Sequence, residues 1–171
     1  MRREVLETRR LMLCELQPGD LGAILPMMED PEVMRFWPRP YTRESAAVWI
    51  AHWVERYAED GCGYWLARDL RTGDVIGQAG VLLHDLGGPG PDAGLGFIIH
   101  RPFWRQGYAF EAASACVEWA FRALDADRVV ALIRPGNVPS RAVAHKLGMH
   151  PERDIDYKGF THTVYVTGRK G

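Results

Sequence analysis

Residues 93–133 constrain this chain more than any other stretch. A strand-like run, 93–99, leads into Trp104-Arg105-Gln106-Gly107-Tyr108-Ala109-Phe110-Glu111-Ala112, then an apolar-striped helix, then the buried-looking strand 128–133. Two strands joined through a helix favour a parallel pair with a right-handed crossover. The turn into the helix carries two small residues, Gly107 and Ala109. A helix start leaves backbone N–H groups without partners, and such groups make an anion site. Gly107 lets the backbone approach a diphosphate with no Cβ in the way, and Ala109 stays small where the helix runs close to it.

Hairpin signals dominate elsewhere. Residues 8–16 read as a first strand, and Pro18-Gly19-Asp20 turns the chain so that Asp20 caps a short helix to Met28. Residues 29–41, rich in Pro and aromatics, read as a loop packed by its own side chains. Thr42 is the expected N-cap of a second helix whose Ala46, Trp49, Ile50, Trp53 and Tyr57 share one face; Gly61 and Gly63 end it. Strands 64–69 and 75–83 flank an Arg71-Thr72-Gly73-Asp74 turn. Residues 85–92 form an irregular loop. Gly94 and Gly96 hint at a bulge or a close approach by a ligand. After the helix, with Ala112, Ala113, Cys116, Val117 and Ala120 inward, Asn137 opens a further helix that stops at Gly148. Tyr157-Lys158-Gly159-Phe160 connects a last antiparallel pair.

A chain of 171 residues suits one domain, 1–171. A net charge of -1 gives no broad nucleic-acid footprint, although Arg101 and Arg105 flank the anion loop. Three cysteines without a CxxC read as reduced thiols of a cytoplasmic protein. Met1-Arg2-Arg3-Glu4 lacks an apolar run after it, so no signal peptide and no membrane segment are expected. Six histidines without HExxH or tight spacing to cysteine argue against a metal site. The lack of Gly-Lys-Ser or Gly-Lys-Thr argues against a P-loop, and a loop after the fourth strand without the three-glycine pattern argues against a dinucleotide fingerprint.

With those residues in view, the chain resembles the Gcn5-related N-acetyltransferase (GNAT) superfamily, and within it the ribosomal-protein-alanine N-acetyltransferase-like branch. The family's acetyl-CoA loop matches Trp104 to Ala109, with Arg105 where glycine is frequent. Thr8-Arg9-Arg10-Leu11-Met12-Leu13 with Pro18-Gly19-Asp20-Leu21 resembles the opening of the branch. Asn137-Val138-Pro139-Ser140 with Lys146-Leu147-Gly148-Met149 resembles the segment beside the thioester. The resemblance implies an α/β (α+β) fold: a mixed, mostly antiparallel sheet of about seven strands flanked by helices, in the order β-α-α-β-β-β-α-β-α-β-β.

It also implies acetyl-CoA (coenzyme A) as the carrier and an amine acceptor, either a small molecule or a protein N-terminus; it is compatible with a homodimer. Phe97, Ile98 and Ile99 then pair with the pantetheine arm through their backbone. Arg105, Gln106, Gly107, Tyr108 and Ala109 cradle the pyrophosphate. Asn137, Ser140 and Lys146 complete the cofactor side, and Ser140 is the expected catalytic group near the sulfur. Asn137 and Ser140 equally suit a helix N-cap and first turn. The stretch Ala93-Gly94-Leu95-Gly96 carries no carboxylate for a general base, so direct attack with a water-shared proton is expected. Glu15, His84, Asp85, His100 and Tyr157 are the candidate side chains. The missing carboxylate also admits an acyl-CoA-binding module without transfer. Trp37, Trp49, Trp53 and Trp65 read either as packing or as the wall of an acceptor pocket.

Overall fold

The computed structural model describes residues 1–169. The last two residues of the expected domain, 170 and 171, lie outside the described residues. In chain order the elements are β1 (Glu4–Glu7), β2 (Leu11–Glu15), α1 (Leu21–Met28), α2 (Arg43–Asp60), β3 (Tyr64–Asp69), β4 (Val75–His84), β5 (Asp92–Ile99), α3 (Tyr108–Ala123), β6 (Arg128–Ile133), α4 (Val138–Lys146), β7 (His150–Tyr157) and β8 (Phe160–Gly168). The strands form one sheet in the order β1-β2-β3-β4-β5-β6-β8-β7, antiparallel throughout except for β5 beside β6. This is the mixed, mostly antiparallel sheet flanked by helices that the sequence implies.

Eight strands stand where about seven were expected. The extra one is β1, a four-residue edge strand whose Val5 and Leu6 pack on the core. Its pairing with β2 shifts register between Glu4 and Leu6, so it lacks the alternation that marks a strand in sequence. The second strand begins at Leu11 rather than Thr8. Thr8 closes a turn instead, its hydroxyl accepting from the Leu11 amide at 2.9 Å.

Helix ends follow local chemistry in most places. Thr42 caps α2 by accepting from the Ser45 amide, and Gly61 ends it at φ 72°. Asn137 caps α4, and Gly148 follows it at φ 77°. Asp20 departs from expectation. Its side chain makes no cap bond to α1. It accepts from the Gln17 amide at 2.7 Å and pairs with Arg2 at 2.5 Å.

The β4–β5 register runs without interruption from Gly77↔Ile99 to His84↔Asp92, so β5 has no bulge. What approaches Gly94 and Gly96 closely is protein. A Cβ at Gly94 would overlap the His84 ring, and one at Gly96 would overlap the Tyr64 phenol. The main core takes Val129, Ala131 and Ile133 from β6, while Val130 faces a smaller cluster with Val164 and Val166. Strand β6 is therefore covered on both faces. Among the described residues no helix is long and apolar enough to cross a membrane.

Candidate active site

The loop between β5 and α3 holds two left-handed residues, Arg105 at φ 59° and Gly107 at φ 83°. A Cβ at Gly107 would meet only the Arg10 Nη2 atom, at 3.4 Å. The backbone conformation, more than crowding, is what calls for glycine here. Arg105 takes a conformation that glycine would adopt more cheaply. Among the described residues, the amides of Arg105 to Phe110 find no acceptor in the protein; the first α3 bond of this turn runs from Glu111 N–H to Gly107 O. These donors cluster at the positive end of a 16-residue helix.

The loop is braced from the other end of the chain. Glu111, in the first turn of α3, accepts from the Thr8 hydroxyl at 2.7 Å, the Arg10 amide at 2.8 Å and Arg10 Nε at 2.6 Å. Arg10 also donates to the Gln106 carbonyl at 3.0 Å and lies 4.1 Å above the Tyr108 ring. Tyr108 in turn donates to Asp69 at 2.9 Å. Burial would raise the Glu111 carboxyl, but the bonds from Thr8 and Arg10 outweigh it and hold the group below its ordinary value. Trp104 closes the loop by donating its indole N–H to the Ile99 carbonyl at 2.7 Å.

Beside this loop the sheet opens. Strands β5 and β6 are in register only at Ala93↔Val129 and Gly94↔Val130, and beyond Gly94 they part. The His100 amide bonds Ile76 O, which fixes the alternation along β5. Ile98 turns its backbone to Gln78 of β4, whereas Phe97 and Ile99 turn theirs toward the gap. The gap enters a cavity of about 680 Å³, walled by Leu95 and Phe97 on one side and Ala131 and Ile133 on the other. Asn137 and Ser140 reach the same cavity, with the Ser140 amide donating to Asn137 Oδ1 at 3.2 Å.

The far wall is aromatic. Trp37, Tyr41 and Trp49 meet edge to face with centroids 5.5–6.1 Å apart. Trp53 lines the same space, and its indole N–H is buried without an acceptor. His84, Tyr157 and His162 form the rim, with ring pairs at 5.6 and 5.4 Å. Burial, helped by Lys158 and opposed by Asp92, lowers the His84 pKa and keeps the ring neutral.

An acetyltransferase (GNAT) domain model matches residues 10–150. The uncharacterized protein YkkB of Bacillus subtilis is 32% identical over 152 residues, covering 88% of this chain and 87% of its own. The chain belongs to the GNAT acetyltransferase family. An FsC-acetyl coenzyme A-N(2)-transacetylase of Aspergillus fumigatus is 30% identical over 84% of this chain and 64% of its own. The crystal structure of an Agrobacterium tumefaciens acetyltransferase superposes with a TM-score of 0.82 at 28% identity, covering 96% of this chain and 94% of that one. This GNAT protein is thus an N-acetyltransferase that works from acetyl-CoA.

Within the enzyme, several expected site residues also engage protein partners. The Ile98 backbone belongs to β4, and the Ile99 carbonyl to Trp104. The Tyr108 ring is engaged by Arg10 and Asp69, leaving its amide to the loop. Gln106 anchors to Pro102 O through its side chain. Lys146 is exposed and stands 4.5 Å over Phe110 in the first turn of α3. Arg101 pairs with Asp30, so it is not the free cation of the loop. Among base candidates, His84 and Tyr157 reach the cavity. Glu15 pairs with Arg3, Asp85 holds the Gly87 amide, and His100 packs on Phe103. Trp65 packs on Trp119, away from the other tryptophans. No sequence signal points to the Thr8–Arg10–Glu111 brace, nor to His162 and Arg134 at the cavity. The partners of Thr8, Arg10 and Arg134 lie far along the chain, and no local pattern encodes such pairs.

Proposed function

We propose that the enzyme moves the acetyl group of acetyl-CoA to a primary amine, on a small molecule or a peptide N-terminus, by direct attack. The reading rests on one observation: the run of uncommitted amides from Arg105 to Phe110 at the start of α3. Arg105, Gln106, Gly107, Tyr108 and Ala109 offer backbone donors to the pyrophosphate, and Lys146 adds positive charge beside them. Phe97 and the Ile99 amide face the pantetheine arm along the parted edge of β5, the Ile99 carbonyl being held by Trp104. Ile98 is proposed to serve through its side chain, since its backbone is committed. Asn137 holds the helix start that brings Ser140 to the cavity.

In this scheme the neutral amine bonds to the acetyl carbon as the carbon–sulfur bond breaks. The Phe97 amide donates to the carbonyl oxygen as negative charge builds there. Ser140 stands on the sulfur side, where its hydroxyl orients or protonates the departing thiolate. The nitrogen loses a proton to water. A single domain over 1–171 in the cytoplasm fits three buried free cysteines. The ribosomal-protein-alanine branch is favoured by the Trp104 loop and the Asn137–Met149 segment, while the Aspergillus relative is named as an N(2)-transacetylase of FsC.

The test is Gly107→Val. A β-branched residue resists φ 83°, so the cradle must rearrange. Calorimetric titration with acetyl-CoA is expected to show about tenfold or greater weakening in a protein that stays folded. Equal affinities would remove the loop from the cofactor site.

A further inference from the structure

The acceptor end of the cavity is short of carboxylates. Among the described residues lining it, Asp60 is the one acidic side chain, and Arg56 holds it through Nε at 2.7 Å. Two further cations, Arg134 and Lys158, stand in the same wall. Arg134 follows β6 and is half-buried. Its guanidinium lies 4.2 Å over the Phe160 ring, and Nη1 donates to Phe36 O at 3.4 Å. Among the described residues it has no carboxylate within ion-pair distance. A guanidinium carries five N–H donors, so most of this one's capacity is unspent. Held on a ring face and by a carbonyl, it has already lost the freedom that a surface arginine keeps. Lys158, at the tip of the β7–β8 turn, lies 5.3 Å over Tyr157 at the same mouth.

From this we infer that the acceptor is a small amine carrying a carboxylate and an aromatic or apolar body, the carboxylate seated on Arg134 with Lys158 beside it. The inference rests on the transferase reading and narrows its acceptor. The Trp37–Tyr41–Trp49 wall receives the apolar body, and the cavity has the size of a small-molecule site. A planar carboxylate matches the guanidinium fork, giving charge-assisted and bidentate bonds. The same wall rejects polyamines. A second ammonium would lose its water among cations, with no uncommitted carboxylate to meet it.

The experiment compares L-phenylalanine, its amide, phenethylamine and spermidine as acceptors, read by thiol release from acetyl-CoA. The amide amine is less basic than the amino acid's and phenethylamine is more basic, so the two controls bracket nucleophile basicity. The amino acid is expected to exceed both controls in kcat/KM by about 10- to 100-fold, with spermidine the poorest. In Arg134→Met that preference should collapse toward one. Calorimetry of N-acetylphenylalanine against N-acetylphenethylamine on the CoA-loaded enzyme measures the same preference without turnover. Equal binding of the two, or a preference that survives Arg134→Met, overturns the inference even if amines are acetylated. A tenfold loss of CoA affinity in Arg134→Met would also overturn it, by assigning the guanidinium to the carrier's phosphates. If no amine is acetylated while N-acetylphenylalanine still binds preferentially, the transfer reading fails and the carboxylate seat stands.

Discussion

Truncation of Glu111 to alanine isolates the brace behind the phosphate loop. The carboxylate accepts three bonds, from Thr8 and twice from Arg10, in a setting where its side chain is 18% exposed and that of Arg10 is 30% exposed. Bonds to a charged group are worth about 1.5–3 kcal/mol each when fully counted. Arg10 regains water once freed, which cuts the sum by about half. A net loss of about 2–4 kcal/mol follows, within what a domain of this size survives. The effect then reaches the loop, because Arg10 no longer fixes the Gln106 carbonyl or the Tyr108 ring. Re-ordering one residue on binding costs about 1–2 kcal/mol, so coenzyme A should bind about tenfold more weakly. Urea unfolding measures the first number and calorimetric titration the second. Glu111→Gln, which keeps one acceptor oxygen but replaces the other with an amide donor and drops the charge, should fall between wild type and alanine on both. A stability change under about 0.5 kcal/mol, or an unchanged Kd, would refute the bracing argument.

Ser140→Ala should lower kcat more than it weakens acetyl-CoA binding; steady-state kinetics with calorimetry checks the split, and unchanged turnover would leave Ser140 with only its place in the helix. Asn137→Ala removes the cap bond of α4 and should cost about 1 kcal/mol in urea unfolding. His84 has a folded pKa below its unfolded value. As pH falls below about 6.5 the unfolded chain gains a proton that the folded chain resists. Stability should therefore decline from pH 6.5 downward until the folded ring titrates, and His84→Gln should flatten that decline in urea midpoints measured across the range. Burial pushes the Cys116 thiol well above its ordinary range, so a disulfide reagent should label it only on unfolding, as followed by mass spectrometry.

Features written in local pattern were legible in the sequence. The face of α2, the Thr42 and Asn137 caps, the Gly73 and Gly148 turns and the strand–helix–strand unit depend on residues within a few positions of one another. The amide-rich loop belongs with them, because a helix start exposes donors wherever it occurs.

What tertiary structure decided is pairing across distance. The Arg10–Glu111 contact spans 101 positions, and no periodicity announces it. Which backbone groups of β5 face the gap depends on its register with β4, where a one-residue slip would exchange Ile98 for Phe97 and Ile99. Gly94 and Gly96 carried a real signal of close approach, but only packing revealed that the visitors are His84 and Tyr64. The parting of β5 from β6, and the placing of Arg134 against Phe36 and Phe160, likewise come from the whole sheet and its loops closing together. Chemistry at short range is encoded residue by residue, whereas the cavity is encoded by many weak contacts that acquire meaning only once the chain is folded.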